Sequence, residues 1–274
     1  MSEILVSTGA LIGRPNGRDY RLLKEFSKKL TCDGYELMMY SDWYDKTEEL
    51  VDFICTNEIN AVTFHCQKSI GEAISKGGEE NFADAFRRFE INASVAGRIG
   101  ARKIVMHLWD GVTSDQNIEN NLKAYKTVRE IADENGVDLL VENVVCNRQD
   151  PLTHWNELLA LYPDIHFVWD TKMAAFHNQD EELYKDANKL LWQDGHICHY
   201  HVNDYGGGYM DWANLNVLPI GRGRVDFEKF IGFVNSIGYK DTFTLESTAF
   251  SDEGIVDFDM LNDEIAYLRE RLEK

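Results

Sequence analysis

"VDLLVENVVCNRQDPLTHWNELLALYPDIHFVWD", residues 137–170, decides the fold. An apolar run, "VDLLVENVV", is broken by Glu142. "WNELLALY" then sets Trp155, Leu158, Leu159 and Tyr162 at helical spacing, and "IHFVWD" is a second apolar run that stops at Asp170. Near-continuous apolar strands on either side of an amphipathic helix predict two parallel strands joined by a crossover helix. Both strands end on a carboxylate.

The unit recurs along the chain. "EILVSTGALIG" from Glu3, "YELMMYS" from Tyr35, "NAVTFHC" from Asn60 and "RKIVMHL" from Arg102 precede it, and "ICHYHVND" from Ile197 and "DTFTLES" from Asp241 follow. Strand starts lie roughly 25 to 45 residues apart, room for one strand, one helix and two loops. Residues 20–30, 81–100, 121–136 and 227–238 carry apolar residues at three-to-four spacing, and several of these segments end in Gly, a common helix stop. Eight strand–helix units in 274 residues predict an α/β fold, a (β/α)8 TIM barrel, over an open sheet. With only four prolines and no Pro/Gly/Ser-rich linker, residues 1–274 read as one domain.

A net charge of −19 argues against nucleic acid or an anionic membrane as partner, because phosphates are bound by surplus Lys and Arg. No apolar run approaches the roughly 18 residues of a membrane span, and the N-terminus has neither the basic nor the long apolar region of a signal peptide. Cys32, Cys55, Cys66, Cys146 and Cys198 show no CxxC spacing and read as packing thiols in a cytoplasm.

In barrels of this kind the active site lies at the C-terminal strand ends. Those ends are polar here: His65, His107, Glu142, Asp170, His201 with Asp204, and Glu246, on the third to eighth strands. Burying a carboxylate costs several kcal/mol unless it is paired or bound to a cation. Glu142, Asp170, His201 and Glu246 together form a mixed O/N shell suited to one divalent ion, Mn2+, Mg2+, Co2+ or Zn2+. Each acidic residue taken alone also reads as a helix cap, Asp170 before "TKMAAF" above all. His107 and Trp109 in "MHLWDG" read equally as substrate contacts or as packing residues. "PIGRGRVDF", residues 219–227, offers a glycine turn into a helix with Arg222 beside it, a weak phosphate-binding pattern.

"VMHLWDG", "LLVEN", "FVWDT", "HYHVND", "LPIGRGRVDFEKF" and "FTLES", in this order, resemble the xylose isomerase-like TIM-barrel superfamily over nearly the whole chain. It holds sugar phosphate isomerases and epimerases (tagatose- and psicose-type epimerases, inositol-catabolism proteins) and the AP endonuclease type. The resemblance implies one catalytic divalent metal ion on Glu142, Asp170, His201 and Glu246. It also implies that the two glutamates exchange a proton at the substrate carbon through an enediolate. Expected substrate contacts are His65, His107, Trp109, Lys172, His177, Asp204 and Arg222. The endonuclease branch has a His three residues after the strand-six Asp and an Asp-x-His pair after strand seven. Here those positions hold Met173, and Asp211 followed by Ala213. Many epimerases share the first of those histidines, so Met173 departs from them as well.

The function expected is a cytoplasmic metal-dependent isomerase or epimerase of a small sugar-like substrate. A lyase dehydrating a keto-inositol, an AP endonuclease-like hydrolase and a metabolite-binding barrel without turnover are its rivals. Members of the superfamily are often homo-oligomers, dimers or tetramers, and nothing in the sequence identifies an interface.

Overall fold

Eight strands form the centre of the computed structural model, which describes residues 2–272. They are β1 (Glu3–Ser7), β2 (Gly34–Met38), β3 (Ala61–His65), β4 (Lys103–Met106), β5 (Asp138–Glu142), β6 (His166–Asp170), β7 (Ile197–Val202) and β8 (Thr242–Leu245). All pair in parallel in chain order, and β1 pairs with both β2 and β8, so the sheet closes into the expected barrel.

Around it lie α1 (Leu23–Phe26), α2 (Thr47–Thr56), α3 (Ser69–Lys76), α4 (Glu79–Arg98), α5 (Ile118–Glu134), α6 (Pro151–Leu161), α7 (Thr171–Phe176), α8 (Leu190–Gln193), α9 (Phe227–Ser236) and α10 (Phe258–Leu272). Residues 20–30, expected as one helix, are instead two 3-10 turns flanking the single turn of α1. The acidic stretch after His177 holds only short 3-10 turns. α2, α3, α8 and α10 lie outside the helices expected from the sequence. No described helix is long and apolar enough to cross a membrane.

Strand periodicity sorts the side chains. One set faces the helices: Ile4, Val6, Leu37, Phe64, Ile104, Met106, Leu139, Val141, Phe167, Trp169, Tyr200, Val202, Phe243 and Leu245 join the main core. The α6 helix shows how that layer is made. The Asp150 carboxylate accepts the Thr153 N–H, and Pro151 fills the first helical turn, where no N–H is needed. Trp155 then lies on Phe167 with ring centroids 4.2 Å apart. Such a stack contributes roughly 1 kcal/mol beyond the area it buries.

The alternate set points inward. On β4, β5 and β6 it forms a small apolar cluster of Val105, Leu140 and Val168. On β2, β3, β7 and β8 it carries polar groups, and Glu36, Thr63, His199, Thr242 and Thr244 are all fully buried. TIM barrels usually fill this space with Val, Ile and Leu. Half of this barrel's interior is a hydrogen-bonded polar column.

Candidate metal centre at the barrel mouth

Strand ends set the site. Glu142 and Asp170 are the last residues of β5 and β6, His201 is the penultimate residue of β7, and Glu246 directly follows β8. All four are buried or nearly so. His201 Nδ1 lies 3.5 Å from Glu142 Oε1 and 3.6 Å from Glu246 Oε1, and it has no hydrogen-bond partner. Asn203 ties the acidic groups together, its Nδ2 donating to Glu246 Oε2 at 2.8 Å and to Asp170 Oδ2 at 3.3 Å.

Asp170 fills both roles open in the sequence. Oδ1 accepts the Met173 N–H at 2.8 Å and so caps α7, while Oδ2 faces Asn203 and lies 4.0 Å from Lys172 Nζ. Met173 itself is buried and packs with Val145, Ala175, Phe176 and Tyr205.

His65 and His107 also converge on Glu142. Their Nε2 atoms lie 3.2 and 3.0 Å from Glu142 Oε2. Each ring has its Nδ1 engaged elsewhere, His65 on the Cys66 carbonyl and His107 on Asp110. An Nδ1 that donates leaves Nε2 as the lone-pair side of a neutral ring, turned toward a carboxylate oxygen. A ring proton or a metal ion between them satisfies that arrangement, and His65, His107 and Glu142 stand close enough to share an ion.

The electrostatics describe the same cluster with ring protons in the place of an ion. Burial pushes the Glu142 carboxyl up, but the charges of His107 and His201 outweigh it and hold the group well below the usual carboxylate range. Asp170, with less help, is pushed up to about 6 by burial, against the pull of Lys172. Burial lowers the His201 pKa, yet Glu36, Glu246 and Glu142 carry it well above the ordinary imidazole value. These pairings concentrate negative charge and unpartnered ring nitrogen in one dry volume, the donor chemistry a divalent ion needs. Glu142, Asp170, His201 and Glu246 therefore fit such an ion, and Glu142 is shared with His65 and His107.

The remaining expected contacts divide. Lys172 is buried beside Asp170. Trp109 is fully buried in the main core with its ring edge-on to His154, away from the mouth. His177 accepts the Cys146 N–H through Nε2 and lines a separate polar cavity of about 420 Å³ with Asp150, Gln179 and Tyr209. Asp204 turns its carboxylate onto the N–H groups of Tyr205, Gly223 and Val225. A Cβ at Gly223 would sit 2.5 Å from Asp204 Oδ1, so only glycine fits there. The glycine loop read as a phosphate cradle is thus filled by the chain's own carboxylate. Arg222 is exposed and lines a groove of about 940 Å³ between that loop and α10.

Three mouth groups escaped the sequence reading. Glu36 stands beneath His201, Asn203 bridges Asp170 and Glu246, and Lys68 rides the loop after β3. Against desolvation, the Glu246 and Glu142 carboxylates raise the Lys68 pKa. Only Glu36 left a signal, a charge in the middle of the apolar run "YELMM".

No curated protein matches the sequence. Solved structures with the same fold include a D-tagatose 3-epimerase-like protein (19% identity, TM-score 0.72, covering 99% of this chain and 97% of the other). Another is D-psicose 3-epimerase from Clostridium cellulolyticum H10 with D-tagatose (16%, 0.71, 98% and 99%). A third is the IOLI protein with a bound zinc atom (14%, 0.73, 99% and 98%). Residues 25–271 match the family described as xylose isomerase-like TIM barrel, and the chain belongs to that family.

Proposed function

We propose that the protein is a divalent-metal-dependent isomerase or epimerase of a sugar or sugar-like compound, a sugar acid, polyol-derived ketone or phosphate ester included. One observation carries the reading: the carboxylates of Glu142 and Glu246 flank the unpartnered His201 Nδ1 at 3.5 and 3.6 Å. Glu142, Asp170, His201 and Glu246 would hold the ion. When bound, it would polarise a carbonyl and hydroxyl pair and so acidify the adjacent C–H.

The chain's own residues supply the proton chemistry. One glutamate takes the proton from the substrate carbon, and the C–H electron pair moves into the carbon–carbon bond of an enediolate. The other returns a proton to the opposite face, which inverts the centre, or to the neighbouring carbon, which isomerises the sugar. Asn203 keeps Glu246 oriented through its amide N–H. Lys172, buried at the mouth, donates to a substrate oxygen. We read the whole chain as one domain acting in the cytoplasm, in keeping with five cysteines that form no disulfide.

The test is a panel of sugars in deuterated water with ion analysis of the purified protein. Deuterium at the carbon next to the carbonyl, lost in Glu246→Gln, is the expected result. A metal-free wild type that is still active would sink the proposal.

A second reading rests on His65 and His107, which face Glu142 as a two-ion site would require. Paired ions suit hydrolysis of a phosphate ester. Met173 and Ala213 stand where the DNA-cleaving branch has histidines, and a charge of −19 repels DNA. Cleavage of an abasic-site duplex would bring this reading to the front.

A further inference from the structure

Glu36 on β2 has no part in the chemistry above, yet it is fully buried on the inner face of the barrel. Its Oε2 accepts the Thr63 hydroxyl at 3.1 Å and lies 3.2 Å from both His199 Nε2 and His201 Nε2. An ionised carboxylate only accepts hydrogen bonds, so each imidazole turns an N–H toward it. For His201 that choice settles the ring. With Nε2–H on Glu36, the lone pair sits on Nδ1, the atom that faces Glu142 and Glu246 without a hydrogen-bond partner.

We propose that Glu36 is a positioning residue of the metal centre, locking His201 with Nε2–H toward β2 so that Nδ1 is the coordinating atom. The inference rests on the metal reading above.

The support continues below Glu36. His199 Nδ1 lies 2.5 Å from Thr242 Oγ1, and the Thr244 hydroxyl sits 3.0 Å from His199 Nε2. Lys103 donates to Thr242 Oγ1 at 2.9 Å and to the Cys198 carbonyl at 2.7 Å. Lys103 also pairs with Asp241 at 2.7 Å. Glu36 is therefore held through Oε2 from two strands, by Thr63 of β3 and by the two β7 histidines, while Oε1 has no hydrogen-bond partner. A carboxylate in a barrel core costs several kcal/mol unless its partners are in place. An apolar side chain would fill the same space without that cost, so the choice of Glu demands a role. Carboxylates that accept from the far nitrogen of a ligating His fix its tautomer and raise its basicity. The rival is that Glu36, His199 and His201 themselves hold an ion, since the three stand close enough to share one. The two cases differ in which nitrogen of His201 carries the proton.

Nitrogen-15 NMR of the zinc-loaded wild type, labelled at histidine, reads this directly. The expected spectrum has His201 protonated at Nε2 and coordinated at Nδ1, and the reverse pattern overturns the proposal. Glu36→Gln keeps the shape and an acceptor but removes the charge. Once its fold is established by circular dichroism and gel filtration, its zinc affinity, measured by competition with a chromogenic chelator, should fall roughly 10- to 100-fold. A folded variant that binds zinc as tightly as wild type overturns the proposal and leaves the metal reading standing. A wild type that takes up no divalent ion overturns both. If Glu36→Gln does not fold, the wild-type spectrum decides alone.

Discussion

Glu142 and Glu264 are buried almost equally, 2% and 6% exposed, and end in opposite states. Glu142 faces three imidazoles across the barrel mouth and stays ionised against its burial. Glu264, on α10, accepts the Ile220 N–H and the Ser247 hydroxyl through Oε1, while Oε2 has no partner. Burial pushes its carboxyl up to about 7, and those two hydrogen bonds only partly offset the rise. Burial alone therefore does not set a carboxylate's charge; the imidazoles converging on Glu142 keep it ionised where Glu264 is pushed toward neutral. Cavity size does not set it either, since the groove of about 940 Å³ lies against Glu264 and not at the mouth.

The largest expected effect breaks the pair apart. Glu142→Gln and Glu246→Gln should each lower solvent deuterium exchange on the order of 10²- to 10⁴-fold, the range for losing a positioned general base. Glu264→Gln should leave it near wild type, and an equal loss there would show that burial, not the imidazole cluster, defines the site. Next comes ion removal. A ligand at a hundredfold its Kd stabilises by about 2.7 kcal/mol, which for a chain of this size is a Tm change of roughly 5 to 10 °C. Zinc or manganese added to chelator-treated wild type should produce that rise in a melting scan. Glu246→Gln should lose most of it, and Glu264→Gln should keep it.

The third test reads Glu264 through pH. Its acid is weaker in the folded protein than the ordinary 4.5 of the unfolded chain, so the native state binds the proton more tightly. Stability is full below about pH 4.5, falls as pH rises toward 7, and stays lowered above it. After discounting for residual solvent the span is about 2 kcal/mol. Glu264→Gln has no proton to lose there, so its Tm relative to wild type should climb between pH 5 and pH 8. A constant difference across that range would mean that Glu264 is ionised throughout.

Much of this was legible because it is written in apolar runs. All eight strands fall on runs read from the sequence, and the polar residues that end them, Glu142, Asp170, His201 and Glu246, do meet at the mouth. Features that depend on ring closure were not legible. Glu36 reaches His201 across 165 residues of chain, a neighbour that exists only because β1 pairs with β8 and closes the ring. α3 was hidden for a different reason. Gly71 interrupts its helical pattern, yet a Cβ there would lie 2.0 Å from the His107 carbonyl oxygen, so helix propensity yields to close packing against the very loop that carries His107. Trp109 misled because β4 ends at Met106, and beyond that point strand alternation no longer says which way a side chain turns.

The smallest effect expected is at Arg222. The glycine loop around it resembles a phosphate cradle only until its amides are followed to their acceptors. The N–H groups of Gly223 and Val225 point at Asp204, and that of Ile220 at Glu264 Oε1. Three of the loop's amides are thus already held by two carboxylates of the chain itself. Arg222→Ala should therefore change deuterium exchange by less than about twofold and stability by no more than about 0.5 kcal/mol, as for an ordinary surface position. The comparison is sharpest when phosphorylated and free sugars are run side by side. A tenfold loss confined to the phosphorylated ones would mean that the loop opens in solution, that Asp204 releases its amides, and that the groove beside Glu264 belongs to the active site after all.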